Sequence, residues 1–254
     1  MKIEFKSALT ILGSLALLTG CASETMTKPA ATARVEPTQA ATIKVEKPDT
    51  EAVLQSAAAT PSTPSAPFEG SGWKSLFDGR TLSGWQVTDF AGHGAVQCES
   101  GLMVIEMGAS LTGVNWTNDV PKMNYEIALD AMKVQGSDFF CGLTFPVGET
   151  HCSLIVGGWG GTVTGLSSID GQDASENETT SYKKYEPGKW YRVRVRVTDK
   201  KIEAWIDQEK VVDLLTAGRK IELRFGEIEM SKPLGIATYQ TRAALREIKL
   251  RRLE

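Results

Sequence analysis

The chain has 254 residues, and its 28 lysines and arginines against 31 aspartates and glutamates leave a net charge of −3. With an isoelectric point near 5.6, it has no basic surplus to neutralise a phosphate backbone, and nucleic acid is excluded as the expected partner. Besides Cys21 there are Cys98, Cys141 and Cys152; in an exported protein two of these can pair, which leaves one over, and the spacing assigns no pair.

In chain order, residues 1–20 read as an export signal. Lys2 and Lys6 are basic, and Ser7 to Gly20 is an apolar run too short to span a bilayer. The run ends in Leu18-Thr19-Gly20-Cys21, which resembles the bacterial lipobox, where the cysteine is acylated and becomes the new N-terminus. An ordinary secretory signal is the alternative. Ala22 and Ser23 follow with no aspartate, which by resemblance to sorted lipoproteins implies the outer membrane. The expectation is a bacterial envelope protein carrying palmitate-type chains on Cys21, touching the membrane through that anchor alone. Residues 22–67 are rich in Ala, Thr, Pro and Ser and lack aromatics. Together with Cys21 they are expected to be a disordered linker, 21–67, with a root-mean-square span of roughly 35–40 Å.

Residues 68–254 are one domain's worth of chain, and their pattern is strand-like. Strands are expected near 85–89, 95–98, 102–106, 123–134, 161–167, 220–225, 234–239 and 244–252. Tyr191 to Val197 alternates without a break, and so does Ile202 to Asp207. Pairing Thr198 with Lys201 sets Arg196 against Glu203, Arg194 against Trp205 and Arg192 against Asp207, a charged face over an apolar one. That arginine row is read as half of a neutralising ladder rather than as an anion site. A second hairpin follows from pairing Phe145 with Cys152. It puts Phe139, Cys141, Leu143 and Phe145 on a core face with Cys152, Leu154 and Val156. The opposite face then carries Asp138, Phe140, Gly142 and Thr144 against Ser153, Ile155, Gly157 and Trp159. On this reading the glycines leave open floor beside Phe140 and Trp159, with Asp138 opposite the indole. Short strands separated by turns, with no long helical period, give an all-β fold: a jelly-roll sandwich of two antiparallel sheets.

The stretch Trp73-Lys74-Ser75-Leu76-Phe77-Asp78-Gly79, continuing to Leu82, Gly84 and Trp85, resembles the opening of the 3-keto-disaccharide hydrolase domain family. Cys98 to Ile105, Pro187 to Asp207 and Pro233 to Leu253 resemble later strands of the same family. The resemblance implies a concanavalin A-like fold and cleavage of glycosides already oxidised at C3. The middle departs from it: the family's Asn-Ser-Gly-Ile and Tyr-Glu-x-Gln strands are replaced by Asp138 to Leu143 and Cys152 to Trp159, so the polar residues of those motifs have no counterpart here.

Cleaving a 3-keto-glycoside requires a base for the acidified C2 proton and a cation or donor at the enolate oxygen. Of the two histidines, His151 lies at a hairpin end and is the better base candidate, with Asp138 as a second base or a sugar ligand. Trp159 and Phe140 are candidate stacking surfaces, with Asp138 as a polar contact. Asp170, Asp173 and Glu176 crowd a loop whose oxygen density suits a divalent cation such as Ca²⁺; a solvated acidic loop is the alternative. Three functions remain open: a 3-keto-glycoside hydrolase or lyase, a carbohydrate-binding jelly roll without turnover, and an envelope scaffold or adhesion protein.

Overall fold

The computed structural model describes residues 50–59 and 68–254; the signal, Cys21 and the remaining linker lie outside the described residues. Where apolar and polar residues alternate, the chain forms strands that stack into two antiparallel sheets. The first sheet contains β1 (Lys74–Ser75), β3 (Val96–Glu99), β4 (Leu102–Ile105), β6 (Tyr125–Gly136), β11 (Trp190–Val197), β12 (Lys201–Ile206), β13 (Glu209–Leu215) and β15 (Thr241–Arg252). The second contains β2 (Trp85–Val87), β5 (Leu111–Trp116), β7 (Cys141–Val147), β8 (Thr150–Gly158), β9 (Val163–Ser167), β10 (Ser181–Tyr182) and β14 (Gly235–Tyr239). Strand order is β13-β12-β11-β6-β15-β4-β3 in one, with β1 beside β15, and β10-β9-β8-β7-β14-β5-β2 in the other. This is the jelly-roll sandwich expected from the sequence.

The core lies between the sheets. Leu143, Phe145, Cys152 and Leu154 face Ile127, Leu129, Tyr191, Val193 and Leu245 across it. Both hairpins have the expected register: Arg196 opposes Glu203 and Arg194 opposes Trp205, and Phe145 opposes Cys152. Cys98, Cys141 and Cys152 are all free thiols.

The outer face of the eight-stranded sheet is an ionic lattice. Arg192 pairs with Asp130 at 2.6 Å, and fully buried Glu126 accepts from Arg196 and Arg251. The Arg194 guanidinium lies 4.0 Å above the Trp205 ring. The arginine row is therefore neutralised in place, and the carboxylates of neighbouring β6 do most of it. The apolar end of that face, Leu102, Val104, Met132, Val134 and Ala244, is covered by Leu54 and Val53. These two belong to helix α1 (Thr50–Ala59), inside the stretch expected to be structureless. Alanine-rich sequence favours helix, but ten residues alone are marginal; burial of Leu54 to 4 % exposure supplies the rest.

Three other expectations change. β1, β5, β10 and β13 are strands that the pattern did not single out. Residues 220–225 form no strand; Ile221 makes one bridge to Ile169, and the chain then leaves the sheet. The faces of Phe139 and Phe140 are exchanged. β7 begins only at Cys141, so the two residues before it escape the alternation.

Candidate functional site

The connection between β13 and β14, residues 216–234, is laid over the outer face of the seven-stranded sheet. It is tied to Ser168 through paired backbone bonds of Glu222. It then runs to a 3-10 turn, Glu227–Ser231, whose Ile228 packs with Phe90, Leu111, Ala237, Phe139 and Tyr239. Beneath it the sheet presents hydroxyls and small residues. Thr144 and Ser153 share a hydrogen bond of 2.8 Å. The result is a cleft of about 340 Å³, floored by Ser153, Ile155 and Ser167, walled by Phe139, Tyr239 and Trp159, and roofed by Arg224, Phe225 and Glu227.

Trp159 stands at the mouth, 39 % exposed. It sits at φ +47°, in the turn after β8, and Asp138 holds that turn. One carboxylate oxygen of Asp138 accepts from the Phe139 N–H at 2.8 Å, the other from the Gly160 N–H at 3.1 Å. Asp138 thus braces the turn that carries Trp159, but it is committed to backbone and does not line the cleft. The glycines are not open floor either. A Cβ on Gly157, at φ +76°, would come within 3.3 Å of the Phe140 and Tyr185 rings, and a bulge at Gly157 shifts the register between β8 and β9. Phe140 is fully buried in the core against Tyr185 and Tyr191, so it offers no stacking surface. Phe139 takes that place on the outer face, 6.0 Å from Tyr239; the missing side chain of Gly142 makes room for its ring.

Within the acidic loop, Asp170, Asp173 and Glu178 are paired with arginines. Asp173 accepts from the Ser167 hydroxyl at 2.9 Å and pairs with Arg224 at 3.3 Å. Asp170 pairs with Arg219 and accepts from the Lys220 N–H; that backbone bond first, then Arg219, holds its carboxyl below the usual range. Glu178 also pairs with Arg219, while Glu176 is exposed. Among the described residues no three His, Cys, Asp or Glu side chains group to hold a metal. The loop is organised instead by buried Asn177, whose amide donates to the carbonyls of Leu166, Gln172 and Asp173.

His151 lies at the far end of β8, roughly 25 Å from Trp159 by strand rise, so the two proposed catalytic residues, His151 and Asp138, are not brought together. It lines a separate groove of about 540 Å³ with Gln86, Asn115, Trp116, Pro146 and Lys122. Partial burial, then Lys232 and Lys122, keep its pKa below the ordinary histidine value. Sequence reasoning missed Arg224, Phe225, Glu227, Phe139 and Tyr239. The available signal was the glycine-bearing Arg224-Phe225-Gly226-Glu227 run, which interrupts an expected strand.

Fold and cleft together define a jelly-roll sandwich with a roofed aromatic and polar site on one sheet face. The chain belongs to the 3-keto-alpha-glucoside-1,2-lyase-like domain family, whose model matches residues 72–251. No curated protein sequence matches it. Among solved structures it is similar to a glycosyl hydrolase candidate from Parabacteroides distasonis, at 15 % identity and TM-score 0.46, covering 72 % of this chain and 94 % of that one. It is also similar to carbohydrate binding module CBM66 from Bacillus subtilis, at 10 % identity and TM-score 0.45, covering 66 % and 95 %. A Bacillus subtilis protein with a galectin-like fold matches at 9 % identity and TM-score 0.49, covering 71 % and 98 %.

Proposed function

We propose that this chain is an envelope-tethered, carbohydrate-active domain that holds a glycoside in the roofed cleft. The observation that carries the reading is the exposed Trp159 indole at the mouth of a cleft whose polar side chains offer hydroxyls, one guanidinium and one carboxylate. An aromatic face stacks on the C–H surface of a sugar ring while fixed polar groups select its hydroxyls. Titrating sugars while following tryptophan fluorescence tests it. Trp159→Ala is expected to weaken binding at least about tenfold, or about 1.4 kcal/mol; a wild-type protein silent to every sugar overturns the reading.

The family's own chemistry supports a finer reading, cleavage of 3-keto-glycosides. Glu227 is the carboxylate of this cleft and Arg224 its cation. A 3-keto group acidifies the C2 proton; Glu227 accepts it, Arg224 faces the developing enolate oxygen, and the enolate's electrons then expel the glycosidic oxygen from C1. Incubating residues 22–254 with 3-keto-trehalose, with and without a chelator, is expected to release glucose, and Glu227→Gln is expected to slow that release at least about a hundredfold, as removal of a general base does. No release at high enzyme concentration leaves binding without turnover. The anchor on Cys21 is tested by labelling cells with an alkyne fatty acid and comparing Cys21→Ser.

A further inference from the structure

The groove around His151 lies on the same strand, β8, as the roofed cleft. His151 of the groove and Ser153 and Ile155 of the cleft project from the same side of β8, at steps of about 7 Å. The groove's polar groups are unspent. His151 is half-buried, yet neither ring nitrogen has a hydrogen-bond partner among the described residues; the Gln86 and Asn118 amides stand exposed at the groove's edge and make no hydrogen bond there either. Asn115 uses its carbonyl oxygen to accept from the Thr88 hydroxyl, which leaves its NH₂ directed to other partners. The half-buried imidazole of His151 and NH₂ of Asn115 are thus left to water or to a hydrogen-bonding ligand. Lys122 is paired with Glu149 at 2.7 Å and nearby Lys232 with Glu229 at 3.2 Å, and exposed Asp119 stands at the edge, so nothing there selects an anionic ligand. Amides and a neutral imidazole beside Trp116 suit vicinal hydroxyls.

We infer that the His151 groove is a second subsite for an uncharged sugar unit, and that one oligosaccharide lies along β8 from the Trp159 cleft into it. This rests on the sugar-binding reading of the cleft and extends it from a single unit to a chain. The test uses residues 22–254 and two reporters in one sample, the indole N–H signal of Trp159 and the ring C–H signal of His151, recorded by NMR. Glucose, then maltose to maltohexaose and cellobiose to cellohexaose, are added in turn. The expected result is that short sugars move Trp159 alone, while longer ones move both and bind at least about tenfold more tightly. Gln86→Ala should remove that gain and leave the affinity for short sugars unchanged. If Trp159 responds at every length and His151 at none, the second subsite is overturned and the cleft stands. A response at His151 without one at Trp159 keeps a sugar site in the groove and overturns both the cleft reading and the shared chain. Silence at both overturns both for these sugars.

Discussion

Asp138 shows how a single carboxylate is claimed by the backbone around it. It begins the hairpin that carries the cleft, and both its oxygens cap N–H groups that the strand and the following turn leave open. Its role is to hold the turn that presents Trp159. Asp138→Ala leaves the Phe139 and Gly160 N–H groups without their acceptor, and is expected to lower stability by about 1–3 kcal/mol. Thermal melting checks this, and sugar affinity should fall with it because the indole loses its support. An unchanged melting temperature would mean that the turn holds itself. The acidic loop makes the same point: Asp170 and Asp173 are held by Arg219 and Arg224, arginines distant in sequence that no local spacing rule would have paired with them.

At the scale of elements, two segments outside the regular strands decide what the sheets expose. Residues 216–234 convert a polar sheet face into a roofed cleft and an open groove. Helix α1 does the reverse on the other sheet, where it closes an apolar face. Leu54→Asp puts a charge against Leu102, Val104, Met132 and Val134, and should release the helix. The expected loss is about 1.5–3 kcal/mol, the worth of one buried leucine side chain, read as a lower urea midpoint. Hydrogen exchange should become faster in the helix while the β6 and β15 amides stay protected. Protection that is unchanged in α1 would show that Leu54 is not what anchors it.

Across the whole molecule, two sheets share one core, so the innermost groups become accessible only when the sandwich opens. Cys141 and Cys152 are fully buried, and burial pushes both thiols up to about 12. Cys98 is half-buried at the edge strand β3; its thiol is also raised, by burial and then by Asp78. A thiol reagent at neutral pH, applied to residues 22–254, is therefore expected to label Cys98 slowly, and the other two only after global unfolding. Rapid native labelling of all three would mean that the sheets separate far more often than this packing allows.

The sequence by itself determined the sandwich, the pairing of both long hairpins and the placing of Trp159 outside the core. Those are local matters: a period of two assigns each residue of a continuous strand to a face, and one turn sets the register. Tertiary structure alone decided what stands over that face. Phe139 and Phe140 exchange places because β7 starts one residue after them and Gly157 bulges, and alternation says nothing about where a strand begins. Arg224 and Glu227 reach the cleft because a long connection folds back over it, and the sheet accepts that connection where Gly235 has no side chain to meet Ser231. Which residues meet there depends on contacts between stretches far apart in the chain, and these carry no periodic trace in the sequence.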